Sequence, residues 1–176
     1  MNNKLTKVLN PSNMLWEVKK WQFLAAGDII RLDCDFEAPA DIVLLHCSNR
    51  TGIVFVDTMN LDGETNLKER LALHEHLDER KLNFIQGEIK CDPPNENLER
   101  WESHITYRSQ IFKQQSANIK NLLLRGCFLR NTESVIGIVV YTGMDTKIMK
   151  NLKKPLYKMS NIMRLMNRML YSVFAF

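Results

Sequence analysis

The sequence predicts a mainly β domain of sandwich or jelly-roll type, followed by a C-terminal helix. Three observations carry that expectation. Runs of four to six β-branched and aliphatic residues recur, each bounded by Gly, Pro, Asn or Asp. They follow one another closely, without the long intervening helices that an alternating βα sheet needs. The last stretch of the chain then changes to helical apolar spacing and is rich in bases.

Taken in order, residues 1–15 read as a loose, polar lead-in without the apolar core of a signal peptide. Short strands follow from Trp16 onward. Residues 29–32 come after Gly27-Asp28, residues 42–47 after Pro39-Ala40-Asp41, and residues 53–56 after the turn that ends at Gly52. Residues 84–90, 121–124 and 135–141 are further strands. Residues 92–118 are polar, open on Asp92-Pro93-Pro94-Asn95, and read as an excursion from the sheet. Residues 145–151 read as a short helix entered after Gly143, with Thr142 or Asp145 near its cap. Residues 156–174 read as a longer one.

At 176 residues the chain holds one domain with a real core, and not two large ones. Its 45% apolar and 25% charged content excludes a disordered, collagenous or disulfide-scaffold class. Cys34, Cys47, Cys91 and Cys127 lie far apart, with no Cys-x-x-Cys pair and no His at metal-ligand spacing, so free thiols are expected. The net charge of +4 conceals an asymmetry. From Lys147 onward there are seven bases and no acids, while the preceding residues carry 17 bases against all 20 acids. A basic tail beside a mildly acidic domain suits an anionic surface, either nucleic acid or the cytoplasmic face of a membrane. Nucleic acid is disfavoured, because the bases are confined to the tail and no aromatic-interleaved basic surface is evident. The apolar run from Met169 to Phe176 follows those bases as the cytoplasmic start of a membrane helix would. The alternative is an amphipathic helix docked on its own domain, with Ile162, Leu165, Met166, Met169 and Val173 on one face.

The segment that carries chemistry is Asp62-Gly63-Glu64-Thr65, beyond the strand at residues 53–56. It offers two carboxylates, a flexible bend and a hydroxyl. A carboxylate at such a tip can position a water and accept its proton. Taken alone, Asp-Gly is a common turn dipeptide, and a solvated turn is the simpler reading. Elsewhere, Asp28 and Asp41 read as turn caps or acceptors for backbone, Arg125 and Lys147 as solvated surface, and Trp16 and Trp21 as core or edge packing. The four His residues show no catalytic pairing.

Residues 61–68 as a block resemble the actuator-domain motif of the type-IV P-type ATPases, the phospholipid-transporting flippases. The resemblance continues through Gly27-Asp28-Ile29, Pro39-Ala40-Asp41-Ile42, Cys91-Asp92-Pro93-Pro94-Asn95, Leu124-Arg125-Gly126-Cys127 and Thr146-Lys147-Ile148-Met149, in family order. Lys158, Ser160, Met166 and Asn167 resemble the linker into the third membrane helix. Departures from the family pattern fall at Ala26, Met59, Trp101-Glu102-Ser103 and Met163, outside the loop.

The resemblance implies a distorted jelly roll, or double-stranded β-helix, with a few short helices and a C-terminal helix leading to the membrane. It implies a lead-in at 1–15, an actuator domain at 16–151 with its excursion at 92–118, and a basic linker with the start of a membrane helix at 152–176. It assigns Glu64 to orient and deprotonate the water that hydrolyses an aspartyl phosphate on another domain, and Gly63 to let the loop approach that phosphoryl group. Asp62 stands where cation pumps carry Thr, and Asp62 and Thr65 complete the loop. No cofactor is expected in this chain, with Mg²⁺ and ATP belonging to the full-length pump. The implied partners are the phosphorylation and nucleotide-binding domains of the same pump and a phospholipid membrane, with an accessory subunit left open and no nucleic acid. The implied location is membrane-associated, on the cytoplasmic side. By itself the chain is expected neither to hydrolyse ATP nor to move lipid. A stand-alone, non-catalytic interaction module or remnant of such a pump is the alternative.

Overall fold

The structure, a computed structural model, describes residues 3–74, 85–109, 112–152 and 161–174. In chain order its elements are β1 (Leu5–Leu9), β2 (Trp16–Lys20), β3 (Ile29–Asp33), β4 (Asp41–Cys47) and β5 (Ile53–Asp57), then α1 (Met59–Asp62) and β6 (Lys68–Leu71). There follow β7 (Gly87–Cys91), β8 (Glu102–Tyr107), β9 (Gln115–Asn118), β10 (Leu122–Leu123), β11 (Phe128–Arg130) and β12 (Ser134–Tyr141), and finally α2 (Lys147–Asn151) and α3 (Asn161–Phe174). The mainly β expectation holds. The strands gather into a six-stranded sheet in the order β10-β4-β12-β3-β1-β2, and into two three-stranded sheets, β11-β5-β6 and β7-β8-β9. Every neighbouring pair is antiparallel.

Two local patterns explain how the sheets close on one core. In β4, Ile42, Val43, Leu44 and Leu45 are all buried, as a strand covered on both faces requires. In β5 the burial alternates, with Val54 and Val56 fully inside and Ile53, Phe55 and Asp57 partly exposed. β12 crosses between β3 and β4 and shifts register against β4 at Ile136/Gly137. A Cβ at Gly137 would lie 2.3 Å from Ile42 Cγ2 and 2.7 Å from Val43 O. Glycine therefore lets the irregular strand close against its neighbour.

The structure departs from the sequence expectation in three places. The lead-in is not loose, because residues 5–9 form β1, which pairs with both β2 and β3 and buries Val8 and Leu9. The polar stretch 92–118 contains β8 and β9, which join β7 in a sheet of their own. Trp101, Ser103, Ile105 and Tyr107 alternate inward there, and Trp101 is 1% exposed. Its Nε1 donates to Tyr141 Oη at 3.0 Å, and Tyr141 Oη donates in turn to the Asp92 carbonyl. A third departure is Lys147, which is fully buried instead of solvated.

Lys147 is the first residue of α2, and its Nζ donates to Asn95 Oδ1 (2.7 Å), Asn97 O (2.6 Å) and Arg100 O (3.0 Å). Its backbone N–H donates to Asp41 Oδ2 at 2.7 Å, and the Arg125 N–H donates to Asp41 Oδ1 at 2.9 Å. Asp41 is thus the backbone acceptor expected of it, and it is fully buried. Asp28 likewise accepts from the Ala25 N–H at 3.0 Å, as well as from Lys19 Nζ at 2.8 Å. All four cysteines are free. The start of the strand expected from residue 84 and the helical expectation at 156–160 lie outside the described residues. Among the described residues no helix is long and apolar enough to cross a membrane.

Candidate functional site

The loop from Thr58 to Leu67 joins β5 to β6, which pair antiparallel with Val56 opposite Lys68. Its base is fixed on both sides. Asp57 Oδ1 accepts the Met59 N–H at 2.9 Å, capping the start of α1, while Asp57 Oδ2 accepts from Arg130 Nη2 of β11 at 3.4 Å. The single turn of α1 closes through Leu61 N to Thr58 O (2.7 Å) and Gly63 N to Met59 O (3.0 Å). Leu61 packs its side chain against the core, so the turn is anchored from beneath.

Gly63 ends the turn at φ +75°, the left-handed conformation that favours glycine at a helix C-terminus. A Cβ built there would meet nothing within 4 Å among the described residues. Among the described residues, then, glycine answers a backbone demand, and the space beside it is open.

Asp62 organises the loop. Its carboxylate accepts from Thr58 Oγ1 at 3.0 and 3.1 Å, from the Glu64 N–H at 3.0 Å and from Lys68 Nζ at 2.7 Å. Lys68 holds its pKa below the ordinary aspartate value, with smaller help from the Glu64 N–H and Thr58. Lys68 is raised in turn, first by Asp62 and then by Glu64. Glu64 Oε2 lies 3.0 Å from the same Lys68 Nζ, and the Glu64 side chain is 59% exposed. Thr65 and Asn66 are exposed beside it. The ion pairs are open to solvent, so each contributes at most about 1 kcal/mol, and their value lies in orientation.

All four residues singled out in the sequence, Asp62, Gly63, Glu64 and Thr65, therefore share one protruding loop. They are not equivalent. Asp62 is occupied by internal hydrogen bonds, whereas the Glu64 carboxylate is the more exposed of the two and meets Lys68 through one oxygen. Sequence reading gave no role to Thr58 or Lys68, which position the other two. Lys68 lay within the motif block, but only the β5–β6 register shows that its amine returns to the loop tip. Among the described residues no group of three His, Cys, Asp or Glu side chains converges as a metal site would require.

No family model matches the chain. The chain is 37% identical over 178 residues to phospholipid-transporting ATPase IK of Mus musculus, an alignment covering 99% of this chain and 13% of that protein. It is 42% identical over 160 residues to probable phospholipid-transporting ATPase 7 of Arabidopsis thaliana, covering 89% of this chain and 13% of that one. A similar likeness, 35% over 170 residues, extends to guanylate cyclase alpha of Plasmodium falciparum, covering 95% of this chain and 4% of that protein. The chain thus spans about an eighth of the length of the two ATPases.

Proposed function

The chain is homologous over almost its whole length to one segment of the phospholipid-transporting P-type ATPases, and from that premise we propose that it is their actuator domain. In this reading the Thr58–Leu67 loop resets the pump by hydrolysing an aspartyl phosphate held on a partner domain. The observation that supports it most is the exposed Glu64 carboxylate, fixed beside a glycine whose outer face is open.

The chemistry is an in-line displacement. Water oxygen bonds to phosphorus as the bond from phosphorus to the aspartate oxygen breaks, and the partner's aspartate leaves as a carboxylate. The water proton passes to Glu64, which is a general base within reach of a bound phosphoryl group once the loop docks. Gly63 allows that docking because it has no Cβ to hold the backbone away. The partner domain would hold the magnesium ion, whose positive charge would let the Glu64 carboxylate approach a phosphate. Residues of this chain hold the loop in shape: Thr58 and Asp62 through the turn, and Lys68 from the strand.

Carried over to the whole pump, the reading gives hydrolysis-driven movement of phospholipid, with the domain on the cytoplasmic side of a membrane. Its partners are then the phosphorylation and nucleotide-binding domains, and ATP and Mg²⁺ are bound there and not here. The match to a protein named as a guanylate cyclase favours a second reading, in which the fold serves as a module outside a dedicated lipid pump. One experiment separates them. This chain replaces the homologous segment of a phospholipid-transporting ATPase, and lipid-stimulated ATP hydrolysis is measured. The actuator reading expects turnover to survive, whereas phosphoenzyme that forms and never decays supports the module.

A further inference from the structure

The ion pair at the loop tip holds Glu64 unevenly. Lys68 Nζ reaches Oε2 at 3.0 Å, while Oε1 has no partner among the described residues. The same amine sits 2.7 Å from Asp62 Oδ2, and Asp62 Oδ1 accepts the Glu64 N–H at 3.0 Å. Glu64 is therefore fixed at two points, its backbone through Asp62 and its side chain through Lys68. Both routes end on one amine.

That amine is itself anchored. Lys68 opens β6 and stands opposite Val56, which is fully buried, so its backbone belongs to the rigid hairpin ladder and not to the loop. Along β6, Lys68 and Arg70 share the half-buried face, while Glu69 and Leu71 face out. The residues between Glu64 and Lys68, namely Thr65 to Leu67, are exposed and belong to no helix or strand. Without a cross-link, a glutamate on such a stretch samples many rotamers, and an acceptor must be placed within a fraction of an ångström to serve.

We propose that Lys68 is a positioning residue for the dephosphorylation step: it clamps Glu64 Oε2 and so presents Oε1 to the attacking water. This inference rests on the actuator reading and adds to it the residue that aims the base. Lys68 touches neither water nor phosphate in this scheme. The proton moves from water to Glu64 Oε1, while the lysine keeps its own proton throughout.

The test uses a phospholipid-transporting ATPase carrying this chain in place of its homologous segment. Formation and decay of phosphoenzyme are followed separately for Lys68→Met, Lys68→Arg and Glu64→Gln. Lys68→Met is expected to slow decay about 10- to 100-fold while leaving formation within twofold. Lys68→Arg, which restores a cation able to span both carboxylates, should recover decay to within about threefold of the parent. Normal decay in Lys68→Met beside slow decay in Glu64→Gln overturns the role of Lys68 and leaves that of Glu64 standing. Normal decay in Glu64→Gln overturns both. Equal slowing by Met and Arg also overturns the proposal, since it would show that packing and not charge matters. In the 176-residue chain itself, amide exchange at Glu64 should quicken at least fivefold in Lys68→Met with the global unfolding midpoint unchanged. Unchanged exchange there also overturns the proposal.

Discussion

Lys147→Met removes a fully buried cation and is expected to destabilise the domain by about 3 kcal/mol. The magnitude follows from the three acceptors that the amine serves at 2.6–3.0 Å, Asn95 Oδ1, Asn97 O and Arg100 O. Hydrogen bonds to a charged group contribute about 1.5–3 kcal/mol each. Three would give more than 4 kcal/mol, but two effects reduce it. Asn97 and Arg100 are themselves exposed, so water replaces part of what is lost. Methionine also escapes the desolvation that depresses the lysine pKa against the opposing pull of Asp41 and Asp92. Urea unfolding should therefore show a lower midpoint with an unchanged slope, and proteolysis should speed up at Arg100, the end of the segment that the amine ties down. The pH dependence has a definite sign. The folded state releases the Lys147 proton before the unfolded one does, so the parent gains stability as pH rises toward about 10.4, and the variant lacks that gain. A Lys147→Met chain within about 0.5 kcal/mol of the parent would refute the view that this amine holds the 92–101 segment.

Other predictions concern the loop and the sheet. Gly63→Ala should cost about 1 kcal/mol through its positive φ, read by urea titration, since no neighbour among the described residues lies within 4 Å of the added carbon. Gly137→Ala should cost well over 2 kcal/mol by the same assay, because its Cβ would strike Ile42 Cγ2 at 2.3 Å and the Val43 carbonyl at 2.7 Å. The Asp62–Lys68 clamp should order the tip between about pH 4 and about pH 10. Asp62 is depressed, so its contribution is lost as pH falls through the folded value, and Lys68 is raised, so its contribution is lost as pH climbs through its own. Backbone relaxation at Glu64 should show a plateau of order across that window.

Strands that pack between layers were readable in the sequence because their burial leaves a chemical trace. β4 and β12 are apolar runs, and their ends were recovered to within a residue of residues 42–47 and 135–141. Strands β1, β6 and β8 were not, since each carries adjacent charged or hydroxyl residues that break the apolar run, and only pairing partners reveal them. Ser103 and Tyr107 face inward in β8, and nothing local marks them as core. Lys147 misled for a related reason, because its acceptors lie 47 to 52 residues away in a polar stretch that looked like an excursion. The tip itself was legible as a motif and not as chemistry. That Asp62 serves the loop while Glu64 stays largely exposed depends on where Lys68 and Thr58 fold back, which follows from hairpin register and a single helical turn.

The central claim is that Glu64 takes the water proton when the phosphoenzyme is reset. Its most direct test is a single-turnover chase of labelled phosphoenzyme in the chimeric pump, comparing the parent chain with Glu64→Gln. Glutamine keeps the shape and cannot accept the proton, so decay should slow about 100- to 10,000-fold while phosphoenzyme still forms. Decay at the parent rate would contradict the account.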